Sequence, residues 1–144
     1  MPDTVFIPDD GITKALQNLI ASGQIWDGCW IRLFTNNITP SDASVVGDFT
    51  EATWSGYGSI QLTAANWAAV SVSAHVATAA YTVTIAFTRT VTGSAASNYG
   101  WYVTDAGKTK VFAAARFLSA PLTVTAAGDA VVLSNLKSSC QSVN

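Results

Sequence analysis

Residues 33–58 read L-F-T-N-N-I-T-P-S-D-A-S-V-V-G-D-F-T-E-A-T-W-S-G-Y-G. The stretch leaves an apolar segment of strand character, crosses a long polar loop and returns into a second apolar segment. Strand, loop and strand follow one another with no helical periodicity between them. Asp42, Asp48 and Glu51 lie within the stretch and Asp27 lies just before it, so it gathers a large part of the chain's nine acidic residues.

The same reading extends in both directions. Upstream, residues 29–35, C-W-I-R-L-F-T, form a strand pattern rich in aromatic and β-branched residues. Downstream, strand patterns are expected at 49–54, 57–63, 68–73 and 75–80. The cleanest lies at 81–90, Y-T-V-T-I-A-F-T-R-T, where Tyr81, Val83, Ile85 and Phe87 alternate with polar or small residues. Further strands are expected at 98–105, 109–117, 122–125 and 130–136. At 109–117, Val111, Ala113, Ala115 and Phe117 are expected on one face. Turn signals S-G, T-G-S, D-A-G-K and A-A-G-D separate these runs. Eight or nine short strands with no intervening helix predict an all-β fold, an antiparallel β-sandwich or jelly-roll-like barrel.

Only the N-terminus departs from this pattern. Residues 1–8, M-P-D-T-V-F-I-P, read as an extended arm, because each proline disfavours helix in the residue before it. Asp9 or Asp10 then caps a helix running to about Ser22. Its apolar face is Ile12, Ala15, Leu16, Leu19 and Ile20, and Gly23 is a fitting stop. The expected organisation is an arm and helix over 1–24, a single β-sandwich domain over 25–137, and a polar tail over 138–144.

Composition narrows the partners. The chain has 144 residues, 49% hydrophobic and only 11% charged, against a usual charged share of about 25%. Mean hydropathy is +0.31, yet no apolar run approaches the roughly 20 residues of a spanning helix. Neither a membrane span nor a signal peptide is expected, since M-P-D lacks a basic region with an apolar core behind it. A soluble chain so short of charge has either a neutral but hydrated Thr/Ser/Ala surface or, the reading placed slightly ahead, a surface largely covered by other subunits. Net charge is −2, and the seven basic residues are scattered rather than gathered in the stripe that nucleic-acid binding needs.

Chemistry is sparse. His75 is the single histidine, and no G-x-S-x-G motif accompanies it. The two cysteines, Cys29 and Cys140, have no zinc-ligand spacing, and a bridge between them requires the tail to fold back. Asp48 and Glu51 with Trp54 and Tyr57 offer the carboxylates and stacking rings of a glycosidase. They read more simply as loop and cap residues (Asp48, Glu51) and as core or interface anchors (Trp54, Tyr57). Asp42 and Asp48 lack the spacing of a calcium loop. The expectation is a non-enzymatic protein with no catalytic residue, no cofactor and no metal.

Residues 36–58, N-N-I-T-P-S-D-A-S-V-V-G-D-F-T-E-A-T-W-S-G-Y-G, are similar to a pattern in small virion proteins of tailed bacteriophages. There, L-F-x-N-N-x-x-P is followed by D-F-T-E-A-x-F/W-x-G-Y. N-Y-G-W-Y-V-T-D-A-G-K at 98–108 and A-P-L-T-V-T-A-A-G-D at 120–129 resemble the closing strands of the same group. The likeness spans residues 30–133. It implies a virion structural protein, either a capsid decoration (cement) protein or a tail-tip, baseplate or fibre component that attaches to host-surface carbohydrate.

A cement protein on the capsid surface would have the major capsid protein and copies of itself as partners, with a trimer as the expected state, and no nucleic acid or membrane. Its contact elements would be the arm (Val5, Phe6, Ile7), the helix (Ile12, Leu16, Leu19) and the long loop with its return (Ile38, Pro40, Val45, Val46, Trp54, Tyr57).

Overall fold

The computed structural model describes residues 9–20, 26–134 and 136–141. Among them is one α-helix, α1 (Asp9–Ile20). Eleven strands follow: β1 (Trp30–Phe34), β2 (Ile60–Gln61), β3 (Ser71–Ser73), β4 (Val76–Ala80), β5 (Ile85–Thr88), β6 (Ala96–Asn98), β7 (Gly100–Thr104), β8 (Val111–Arg116), β9 (Leu122–Val124), β10 (Ala130–Leu133) and β11 (Lys137–Gln141). Every pairing is antiparallel. The strands form four sheets, ordered β2-β1-β7-β8, β10-β5, β11-β4-β3 and β6-β9, and among the described residues none closes on itself. The fold is all-β with one N-terminal helix, as the strand patterns predict.

The chain divides into two compact units, 28–62 with 85–133 and the remaining segments 1–27, 63–84 and 134–144. In the first, β1 is central. Ile31 and Leu33 are fully buried on one face, opposite Val103 and Trp101 of β7. Phe34 lies on the other face with Tyr102, and Phe49 returns from the long loop to stack on Tyr102 at 4.5 Å. Ile38, Tyr99, Val111 and Ala114 pack around these three rings. The loop therefore has its own apolar floor, and burial of the Phe49 ring contributes roughly 2 kcal/mol to holding it down.

In the second unit, α1 packs on the sheet β3-β4-β11. Ile12, Leu16 and Ile20 are buried, the i, i+4, i+8 stripe that the sequence spacing defines, whereas Ala15 is exposed. The buried positions of β4 are Ala77 and Ala79, small enough to let a helix approach closely. Ala74 and His75 turn the β3–β4 hairpin with φ of 49° and 61°, the left-handed pair that two-residue hairpins require. The Gly23 stop lies outside the described residues.

Two expected strands are broken by the course of the chain. Residues 98–105 split at Tyr99, with β6 pairing β9 and β7 pairing β1 and β8. Residues 81–90 split as well: Tyr81 bridges Trp67 in one unit, and β5 pairs β10 in the other. Val83 falls in the crossing and is exposed rather than buried.

Residues 49–54 run beside β1 through a single bridge, Phe34 to Glu51, and not as a full strand. A bulge in β8 puts Val111 opposite Thr104 and Ala113 opposite Val103. Val111 thus shares a face with Ala114, not with Ala113 and Ala115. Lys137–Gln141, polar enough to read as tail, is β11 and pairs β4 along its whole length. Cys29 and Cys140 are thiols not joined in a disulfide.

Candidate functional site

The long loop is a fastened excursion. Asn36 clasps its base: the Asn36 amide donates to the Asp48 carbonyl at 2.7 Å and its side-chain oxygen accepts from the Thr50 N–H at 2.8 Å. The Ser44 hydroxyl accepts from the Ser41 N–H at 2.9 Å, closing the tip. The Asp48 carboxylate accepts from the Val45 N–H at 2.8 Å and caps a single 3-10 turn at Val46–Asp48. Across the loop, the Arg116 guanidinium donates to the Ile38 carbonyl at 2.8 Å and lies over the Tyr99 ring.

Between this loop and β8 runs a groove of about 450 Å³, lined by Pro40, Ser41, Asp42 and Ser44 on one side and Val111, Phe112, Ala113 and Ala114 on the other. Successive side chains of a strand point to opposite faces. A groove that meets four consecutive residues of β8 therefore runs along the strand's edge. β8 is the last strand of its sheet. Phe112, in the lining, is 40% exposed; Val45, next in sequence to Ser44 but outside the lining, is 59% exposed.

The return of the loop carries a polar cluster. Arg32 and Glu51 form a two-pronged ion pair, Nε to Oε1 at 2.9 Å and Nη2 to Oε2. The Tyr57 hydroxyl donates to Glu51 Oε1 at 2.9 Å and accepts from the Leu33 N–H at 3.1 Å. Arg32 also lies 5.2 Å above the Tyr102 ring.

Burial works against the Arg32 cation, but the hydrogen bond and charge of Glu51 outweigh it and hold its pKa above the ordinary value. Burial, reinforced by the Glu51 charge, pushes the Tyr57 hydroxyl far above its usual range. Tyr102 is pushed up to about 12 by burial, with Glu51 adding and Arg32 opposing. These shifts describe a fastened, charge-neutral pair of side chains. Glu51 is engaged by both partners and Asp48 by its own turn.

The residues named from sequence as contacts separate clearly. Val5, Phe6 and Ile7 lie outside the described residues. Ile12 and Leu16 are 1% and 0% exposed, because their stripe is used against β3, β4 and β11; they are core, not contact. Leu19 is half-buried. Trp54 is also core: its ring is buried, its Nε1 donates to Asn98 Oδ1 at 3.2 Å, and its edge meets Tyr57. Tyr57 in turn stacks on Phe87, so the Trp54 ring is buried and one face of the Tyr57 ring is used within the unit.

Ile38 is half-buried in the floor, and Val46 is half-buried in the 3-10 turn. Pro40 lines the groove, and Val45 is exposed beside it in the loop. Phe112 was not among the residues the sequence singled out. Its signal was legible all the same, as a large aromatic residue on the side of the 109–117 strand that alternation leaves to solvent.

Elsewhere, His75 Nδ1 sits 2.8 Å from Asp9 Oδ1, both side chains exposed. Among the described residues no group of three or more His, Cys, Asp or Glu stands close enough to hold a metal ion, and no helix is long and apolar enough to cross a membrane. Comparison with protein-family models, with curated proteins and with solved structures finds no match to this chain.

Proposed function

We propose that the chain is a non-enzymatic structural protein of a bacteriophage virion, a capsid decoration protein that binds the outer surface of the head and bridges copies of itself and the major capsid protein. The observation that carries this reading is a groove walled by the fastened 36–48 loop and by β8, with Phe112 exposed in its lining and Val45 exposed next in sequence to Ser44 of that lining. That loop is the segment whose sequence resembles the virion group. A loop held by its own hydrogen bonds and aromatic floor loses little entropy on binding. An interface of about 1,200–2,000 Å² would need more than the groove alone, and repetition over a symmetric shell multiplies weak contacts. In this reading the sheets of the larger unit stack as the layers of a sandwich, with Ile31, Leu33 and Val103 between them. A trimer remains the proposed oligomer.

The alternative of a tail or fibre component binding carbohydrate has less support, because the rings of Trp54 and Tyr57 are engaged within their own unit.

Co-sedimentation of the purified chain with empty capsid shells of its cognate major capsid protein tests the proposal. The wild-type chain is expected to pellet with the shells at saturating stoichiometry, and Val45→Asp with Phe112→Asp to stay in the supernatant while retaining its circular dichroism spectrum. A wild-type chain that leaves the shells bare, or a double variant that binds them as well as wild type, would overturn it.

A further inference from the structure

The groove runs along a strand edge whose free main-chain groups can be assigned. Phe117 N–H donates to the Tyr99 carbonyl and Asp105 N–H to the Lys110 carbonyl, which fixes the hydrogen-bonded pairs between β7 and β8 on both sides of the bulge. Bonded and unbonded pairs alternate along an antiparallel ladder. Ala113 and Ala115 therefore turn their main-chain groups toward β7, and Val111, Ala114 and Arg116 turn theirs away from it, toward the groove. Residues 111–115, V-F-A-A-A, carry no charge and no proline. They thus lack two of the devices that protect exposed strand edges and keep a third, the bulge at Phe112.

An occupant must supply an extended backbone. A second β8 is a poor candidate: Lys110 and Arg116 bracket the strand, so antiparallel self-pairing brings like charges together at both ends. Residues 1–8, M-P-D-T-V-F-I-P, lie outside the described residues, and their sequence fits better. Thr4 to Ile7 would span about 13 Å when extended, the length of the four β8 residues that line the groove. Aligned on Val111–Ala114, Asp3 falls opposite Lys110 if the segment runs parallel, and opposite Ala115, one position short of Arg116, if it runs antiparallel. Prolines at positions 2 and 8 bound the pairing segment, where strands tolerate them.

We infer that the β8 edge accepts residues 4–7 of a second copy of this chain as an added strand, making the groove a self-assembly site. The inference rests on the reading of this loop and strand as a contact surface, and it names the partner.

The experiment is sedimentation velocity of the full chain over a hundredfold range of concentration, with three variants. Wild type is expected to self-associate with rising concentration. Asp3→Lys and Val5→Asp, which alter only the donor segment, are expected to weaken association at least tenfold. Ala114→Pro, which removes a groove-facing N–H at a sheet edge, is expected to do the same.

Wild type that stays monomeric throughout, or association untouched by both donor variants, would overturn the inference. So would a disulfide that forms within one chain of a Val5→Cys/Ala114→Cys double variant diluted to its monomeric range, since it would place the segment in its own groove. A monomer that still coats capsid shells would sink this inference alone; a self-associating chain that ignores shells would sink the decoration reading alone.

Discussion

Phe34 and Gly100 face each other across β1 and β7, and the Phe34 ring fills the space that a side chain at position 100 would take. A Cβ at Gly100 would lie 2.5 Å from the Phe34 ring and 2.1 Å from the Ala115 carbonyl oxygen. The glycine thus lets the aromatic floor of the long loop lie flat on the sheet. Gly100→Ala is expected to destabilise the chain by about 3 kcal/mol, at the upper end of overpacking costs, with a lower urea midpoint as the readout. An unchanged midpoint would mean that the floor is not tightly packed.

The Arg32–Glu51–Tyr57 cluster ties the return of the loop to β1. Glu51→Ala leaves a mostly buried guanidinium without its carboxylate and is expected to cost about 2 kcal/mol, less than a fully buried pair because both partners keep some solvent. Tyr57→Phe removes two hydrogen bonds and is expected to cost about 1 kcal/mol. The double variant should cost less than the sum, since both changes break the same bond. Additive losses in chemical denaturation would contradict the network.

Alkaline pH should loosen the same region. An unfolded tyrosine ionises near pH 10, whereas folded Tyr102 keeps its proton to about 12 and folded Tyr57 is raised further by burial. Above pH 10 the unfolded chain therefore binds fewer protons than the folded one, and stability falls as pH rises. Below pH 10 this contribution is fully present. Urea midpoints should drop between pH 9 and 11, and the drop should be shallower in Tyr102→Phe.

Two exposed turns behave oppositely. Asp105 accepts from the Lys110 and Thr109 N–H groups, and Asp129 from those of Thr125 and Ala126. These bonds hold both carboxyls below their ordinary value of 3.8. Their stabilising effect is present above that pH and is lost as pH falls through the lowered values. Asp105→Asn is expected to flatten the acid limb of a stability–pH curve, and an unaltered limb would count against the turn assignment.

Core and rim should separate cleanly. Leu16→Ala removes a fully buried side chain and is expected to cost about 3 kcal/mol. Val45→Asp changes a residue 59% exposed and is expected to shift stability by less than about 0.5 kcal/mol. A thermal melt of each variant decides the point.

Much of this architecture was legible in the residues, and the failures share one cause. The stripe of Ile12, Leu16 and Ile20 announced α1, because a helix needs only its own periodicity. The strands β1 and β7 announced themselves by aromatic and β-branched content, and β8 by alternation after the D-A-G-K turn. What local pattern does not carry is which sheet a strand joins. The alternation of 81–90 is unbroken, yet the chain leaves one unit after Thr84 and enters the other at Ile85.

The bulge at Phe112 inverts the faces of β8 without any change in hydropathy, and K-S-S-C-Q becomes a strand only because β4 offers it an edge. At the candidate site, the loop's length and its apolar Pro40 and Val45 were readable. The partner wall, Val111 to Ala114, stands some seventy residues further on, and nothing in either segment names the other. Arg32 and Glu51 are likewise joined only by the fold.

The central claim, that this chain coats a capsid through the 36–48 loop and the β8 edge, is tested most directly by its copy number in purified virions. Quantitative mass spectrometry of particles made from the genome that encodes it gives the ratio of this chain to the major capsid protein. A ratio on the order of one to one, hundreds of copies per particle, is the predicted result. A few to a few dozen copies would move the chain to the tail, and none at all would contradict the account.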